Sequence, residues 1–229
     1  MRLNDLLAEM AIELQATDSP AETAETIAQY ACAAVGADGA GLMVVHAGGK
    51  IETVADTSSD IEKAHQLQAE YGEGPCLEAL KGGDDTYLVT DTADDSRWAR
   101  WGKAAASIGF HSVISSTLET STRRIGSLNV YATRAHAFDQ SDAQTISWLA
   151  AHASVAIAAV NEREGIRIAL LNRTVIGQAE GILMRAFDIN ADLAFAYMKR
   201  LSQDTNTKLS KIAEEIVESR ATIGQREPA

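Results

Sequence analysis

"SVISSTLETSTRRIGSLNVYAT", residues 112–133, holds two strand-like runs, SVISSTL at 112–118 and RIGSLNVYAT at 124–133, on either side of a short polar connection. Neighbouring runs of this kind can pair as an antiparallel hairpin. Working outward, TYLVT at 86–90 reads as another strand, and AGLMVVHAGG at 40–49 with KIETVAD at 50–56 reads as a hairpin closed by a glycine turn. Helical patterns surround these strands. Ser19-Pro20-Ala21-Glu22 has the form of a capping box with Pro20 at the first helical position, which predicts a helix running to about Val35. Further helices are expected at 61–71, at 76–81 after a Gly-Glu-Gly-Pro break, and at 98–108. Together these elements predict an α+β domain, an antiparallel sheet with flanking helices.

A chain of 229 residues with 46% hydrophobic content is long enough to pack one sizeable domain and a smaller one. Residues 1–15 are amphipathic with interspersed acids and no cleavage-site signature, and no apolar run reaches the roughly 18 residues of a membrane span. A cytoplasmic protein without membrane contact is expected. Cys32 and Cys76 lie far apart with no paired spacing, so they read as reduced structural thiols, with a redox role for Cys76 as the other reading. The histidines at 46, 65, 111, 136 and 152 have no metal-ligand spacing, and neither metal nor cofactor is expected. Trp98 and Trp101 read as anchors of a helix on the sheet, although pocket walls look the same in sequence. The pairs Asp84-Asp85 and Asp94-Asp95 sit in polar, turn-like surroundings without a nucleophile, base or phosphate loop, so no enzyme is expected.

The net charge of −12 is unevenly placed, with −13 in residues 1–164 and +1 in residues 165–229. Polyanion binding in the C-terminal part would therefore have to use clustered cations rather than net charge. From 141 to 187 the chain contains no proline, and Ile146, Leu149, Ala153, Ala156 and Val160 step by 3, 4, 3 and 4. That stripe fits either a coiled-coil seam between copies or one amphipathic helix packed on its own sheet. The polar NEREG at 161–165 is the expected junction, and a helix continuous through it would extend ~70 Å.

NRTVIGQAEGILMRAF, residues 172–187, continues the helical spacing through Val175, Ile176, Ala179, Ile182, Leu183 and Phe187 but contains Gly177 and Gly181, each costing about 1 kcal/mol against alanine. The expected role of these glycines is close packing of neighbouring helices, with backbone approach by a ligand as the other reading. After a turn at 188–192, a helix follows with Leu193, Ala194, Tyr197, Met198 and Leu201 as its apolar positions. A turn at 204–207 leads to a last helix whose buried face is Leu209, Ile212, Ala213, Ile216 and Val217, with Lys208, Lys211 and Glu215 outside it. The C-terminal part reads as a small three-helix, all-α unit.

In that unit Arg173, Ile176-Gly-Gln-Ala179, Gly181-Ile-Leu-Met184, Ala194-Phe195, Leu201-Ser-Gln203, Asn206, Lys208-Leu209 and Ile212-Ala213 closely resemble the ANTAR domain of bacterial transcription antiterminators. Gly74-Pro-Cys-Leu-Glu-Ala-Leu80, Asp91, Arg97-Trp98, Ser112-Val-Ile-Ser115, Gly126-Ser-Leu-Asn-Val-Tyr131 and Ala137-Phe-Asp139 resemble the GAF domain that precedes ANTAR in actinobacterial regulators. The expected division is a GAF-like sensor domain at 1–160, a helical junction at 161–165, an ANTAR domain at 166–220 and a tail at 221–229. The resemblance implies a dimeric, signal-responsive antiterminator that binds hairpins in nascent mRNA. The alternative is a dimeric protein-interaction or ligand-sensing scaffold whose ANTAR-like unit does not bind RNA. Candidate RNA-binding residues are Arg173, Gln178 and Arg185 on the first effector helix, with Asn206, Thr207, Lys208 and Lys211 at the start of the third. Glu180 departs from the pattern, because many ANTAR domains carry lysine there, and an acid repels phosphate. The GAF part implies a small-molecule pocket, with its ligand and lining residues unknown: neither the Asn-Lys-Phe-Asp-Glu signature of cyclic-nucleotide binding nor a bilin-attaching Cys-His pair occurs.

Overall fold

The computed structural model describes residues 3–46 and 50–224. Its elements are α1 (Leu3–Ala16), α2 (Pro20–Val35), β1 (Gly39–Val45), β2 (Ile51–Asp56), α3 (Ser59–Tyr71), α4 (Pro75–Lys81), β3 (Thr86–Val89), a 3-10 turn (Ser96–Trp98), α5 (Ala99–Ser107), β4 (Ser112–Glu119), β5 (Arg124–Ala132), α6 (Gln140–Phe187), α7 (Ala191–Thr205) and α8 (Leu209–Gly224). The glycine turn expected between β1 and β2 lies outside the described residues. The chain divides into two compact units, Met1–Asn161 and Glu162–Ala229.

In the first unit the five strands form one antiparallel sheet of order β2-β1-β5-β4-β3. Its centre is the β4–β5 hairpin, in which Ile114 pairs Val130 and Ser115 pairs Asn129. Nearly every residue of both strands is buried, so the sheet is covered on both faces. Alternation divides the side chains between the two sides. Ile114, Leu118, Leu128 and Val130 join α1, α2 and α6 in one core, while Val113 and Tyr131 join Ile61, Trp98, Trp101 and Phe110 in another.

Local chemistry sets the helix ends. The Ser19 hydroxyl accepts from the Glu22 amide at 3.2 Å, and the Glu22 carboxylate accepts from the Asp18 amide at 3.0 Å, so α2 begins where its capping box places it. The Gly-Glu-Gly-Pro break holds a second cap. Glu73 accepts from the backbone amides of Arg100 at 2.7 Å and Trp101 at 2.8 Å, supplying at a distance the acceptor that α5 lacks locally. Gly74 has φ +139°, and a Cβ there would collide with the Gln68 amide. Trp101 is fully buried and donates its indole N–H to the Ala64 carbonyl at 3.2 Å, so the tryptophans anchor the outer helices.

The helix expected from 141 to 187 is a single 48-residue α-helix that continues through Gly165. Of its proposed seam, Ile146, Leu149, Ala153 and Val160 are buried within the chain and Ala156 is half-buried. Ile146, Leu149 and Ala153 belong to the core against the sheet, so these residues pack on their own domain and cannot meet a second copy. Exposed apolar residues that α6 does offer to a coiled coil include Trp148, Val155, Ile166 and Leu170. By length and composition alone α6 could cross a membrane, but part of its apolar surface is buried in the core against the sheet, as expected of a helix that gives one face to a core.

In the second unit the end of α6 packs with α7 and α8 around Ala179, Leu183, Ala194, Met198, Ile212 and Ala213. Leu209, Ile216 and Val217 are half-buried against this core, and Lys208, Lys211 and Glu215 are exposed. Three of the expected apolar positions differ: Phe187, Leu193 and Tyr197 are 60%, 55% and 47% exposed. The α7 core contact is narrow, confined largely to Ala194 and Met198.

Because Ala153 is fully buried, Ala153→Glu should lower the stability of the first unit by at least about 3 kcal/mol through an unpaired buried charge. Thermal melting followed by circular dichroism checks this; a normally melting variant would return the stripe to an intermolecular role.

Candidate functional site

Two regions hold the candidate chemistry: the cationic surface of the three-helix unit and the polar interior of the sheet domain. On α6, Arg173, Gly177, Gly181 and Arg185 recur every four residues and therefore follow one ridge of the helix. All four are exposed. Cβ atoms built at Gly177 and Gly181 meet nothing within 4 Å, so the expected packing role is not realised among the described residues. The two arginines instead bracket an open backbone strip. Gln178 is also exposed but falls outside the four-residue series that defines that ridge. Glu180 is half-buried.

The other candidates cluster where α7 turns into α8. Asn206 has φ 50° at the C-cap of α7, a left-handed conformation that asparagine tolerates. Thr207 is half-buried and held in place, its amide donating to the Ser202 carbonyl at 3.1 Å and its carbonyl accepting from the Ser202 hydroxyl at 2.6 Å. Asn206 and Thr207 therefore shape the turn. The Lys208 carbonyl accepts from the amides of Lys211 and Ile212, and both lysine side chains are exposed. They stand at the positive end of the α8 dipole, where no acid occupies the first turn. Cations there are locally unfavourable and an anion is favoured. Sequence reasoning missed the exposed Phe187, Leu193, Tyr197 and Arg200, because helical periodicity assigned the apolar members to the core.

In the sheet domain, α3 and α4 close a buried polar cluster over the face of β4 and β5 that carries Ser115, Ser127 and Asn129. His65 on α3 bonds Thr53 Oγ1 through Nδ1 at 3.0 Å and meets the Asn129 amide nitrogen at Nε2, 3.3 Å away. With Asn129 donating, Nδ1 carries the proton. Asn129 in turn accepts from the Ser115 hydroxyl at 2.7 Å. Burial pushes His65 down to about 3, leaving it neutral. Beside it, the Gln68 amide donates to Cys76 Sγ at 2.7 Å and accepts from the Cys76 backbone amide at 2.9 Å, and Tyr131 OH lies 3.6 Å from the sulfur. Burial raises the Cys76 thiol, partly offset by these hydrogen bonds, so the sulfur is a poor thiolate. Cys32 is also a free thiol, half-buried on α2.

Residues 17–158 match the GAF domain family, and residues 164–217 match the ANTAR domain. The chain belongs to the GAF domain family and carries a C-terminal ANTAR domain, the organisation of a GAF–ANTAR regulator. GAF domains are associated with signal sensing and ANTAR domains with RNA-binding antitermination regulators. No match to a curated protein was found. Among solved structures, the chain is similar to the GAF domain of a phosphoenolpyruvate-protein phosphotransferase from Coxiella burnetii, at 16% identity and a TM-score of 0.59, covering 71% of this chain and 96% of that one. It is also similar to a Stigmatella aurantiaca phytochrome photosensory core module, at 11% identity and a TM-score of 0.58, covering 87% of this chain and 44% of that one. A free methionine-R-sulfoxide reductase from Neisseria meningitidis matches at 19% identity and a TM-score of 0.52, covering 70% and 91% of the two chains. These likenesses describe the fold.

Two outcomes follow. Gly181→Leu fills open space, so it should leave the melting temperature of the three-helix unit unchanged or raise stability by about 0.5–1 kcal/mol through helix propensity. A drop of several degrees in calorimetry would restore the packing role. His65 has a folded value of about 3 against an ordinary 6.5, so its contribution is complete above pH 6.5 and declines as pH falls toward 3. Below pH 6.5 the parent should lose stability faster than His65→Gln by about 1.4 kcal/mol per pH unit, read from urea melts.

Proposed function

We propose that this chain is a cytoplasmic, dimeric antitermination regulator: a GAF sensor at 1–160, a helical junction at 161–165, an ANTAR effector at 166–220 that binds hairpins in nascent mRNA, and a tail at 221–229. Binding would keep a terminator hairpin from forming. No bond is made or broken, and the GAF domain would modulate the effector in response to a small molecule.

The observation that carries this reading is the placement of Lys208 and Lys211 at the start of α8, against the helix dipole and without an ion pair among the described residues. That arrangement is costly for an isolated helix and favourable beside phosphate, which is also drawn to the amides of the first turn. Arg173 and Arg185 add cations along α6, on either side of a strip that presents backbone rather than side chains. Hairpin loops offer phosphates and unstacked bases to such a surface. The acidity of residues 1–164 restricts phosphate attraction to the effector. For the dimer, Trp148 and Val155 on α6 are i, i+7 neighbours, as a coiled-coil contact requires, and both are exposed.

Crosslinking the full chain to cellular RNA and sequencing the recovered fragments tests the reading, with enrichment of hairpin-forming leader segments as the expected result. On a recovered hairpin, Lys208→Ala with Lys211→Ala should weaken binding and reduce the salt slope by roughly 1–2. Filter binding across a salt series measures both. Unchanged affinity and slope would clear the lysines, and recovery of no RNA would leave the scaffold alternative.

A further inference from the structure

The three-helix unit exposes aromatic surface that neither its core nor the cationic candidates use. Phe187 ends α6 and Tyr197 lies midway along α7, and their rings meet with centroids 6.0 Å apart at 40°. Both rings remain about half open to solvent, at 60% and 47%. Leu193, Tyr197 and Arg200 follow i, i+4, i+7 spacing and share one face of α7. Arg200 reaches Asp204 only at 3.6 Å, with side chains 84% and 64% exposed. An exposed pair of that kind contributes at most ~1 kcal/mol, so the guanidinium can turn to another anion. Arg185 is exposed two residues before Phe187.

We infer that Phe187 and Tyr197 form a stacking platform for unstacked loop bases of a bound RNA, with Arg200 meeting the adjoining phosphate or base. The inference rests on the RNA-binding reading above. Flat aromatic faces beside a guanidinium are the chemistry that captures splayed bases without regard to their hydrogen-bonding edges. A polyanion complements the arginine on that face. A second copy of the chain fits less well: the two rings and Leu193 expose on the order of 300 Å² together, well short of the ~800 Å² per partner of a stable interface.

The test uses the full chain and an RNA stem closed by a short randomised loop, enriched on the parent protein, beside the same stem closed by an abasic loop. Tyr197→Leu keeps apolar bulk but removes the ring, and Tyr197→Trp enlarges it; the exposed position should leave melting unchanged for both. The Leu variant should bind the base-bearing hairpin about tenfold more weakly with the salt slope of the parent, while the Trp variant keeps or gains affinity. On the abasic loop all three proteins should bind alike. Parent-like binding of the enriched hairpin by Tyr197→Leu would overturn the platform and leave RNA binding standing. A Leu variant that sediments as a smaller species yet binds the loop normally would overturn it too, making the patch a contact between copies. Failure of the parent to enrich any hairpin would overturn the platform together with the reading beneath it.

Discussion

One uninterrupted helix supplies packing residues to both cores, and much of the rest depends on that constraint. Between 143 and 157, α6 presents Ala143, Ile146, Leu149, Ala150, Ala153 and Ile157 to the sheet domain. Between 175 and 183 it presents Val175, Ile176, Ala179 and Leu183 to α7 and α8. A helix advancing 100° per residue can do this only if its small and large apolar residues are placed separately for each neighbour. By length and composition alone, α6 would pass for a membrane span. Other apolar residues of α6, among them Trp148, Val155, Ile166, Ile168, Leu170 and Leu171, stay exposed.

The sheet domain has a different organisation on its two sides. Toward α1, α2 and α6 its core is mostly hydrocarbon, with buried hydroxyls such as Thr23, Ser116 and Ser154 set among it. Toward α3 and α4 it buries His65, Gln68, Cys76, Ser115, Ser127 and Asn129, satisfied largely by one another. Such a network depends on every partner and contains no buried formal charge, since His65 is neutral.

The effector breaks local rules at several points. Two glycines interrupt a helix without filling any close contact, two lysines face the wrong end of a helix dipole, and two aromatic rings stand in water. Each is mildly costly for folding alone. Under the proposed RNA-binding reading all three features would share one use, with phosphate beside the cations and amides and bases against the rings.

Much of this protein was determined by its sequence. The capping box of α2, the period-two strands, the break before α4, the long proline-free helix and the buried stripe of α8 are local features, set by backbone sterics, hydrogen-bonding groups and periodicity over a few residues. The candidate cations were legible for the same reason, because lysines beside a turn announce themselves in one dimension. The partner of each apolar stripe was decided only in three dimensions. The Ile146–Val160 spacing fits a seam between copies as well as an internal core, and the sheet's own buried face settles it in favour of the core. Likewise, helical spacing enrols Leu193, Tyr197 and Phe187 in a core that closes over Ala194 and Met198 instead, because three short helices enclose too little volume to bury every apolar side chain they carry. Gly177 and Gly181 faced the same ambiguity: a stripe without side chains marks a close approach, and only the position of the neighbouring helices shows that none of the described residues makes it.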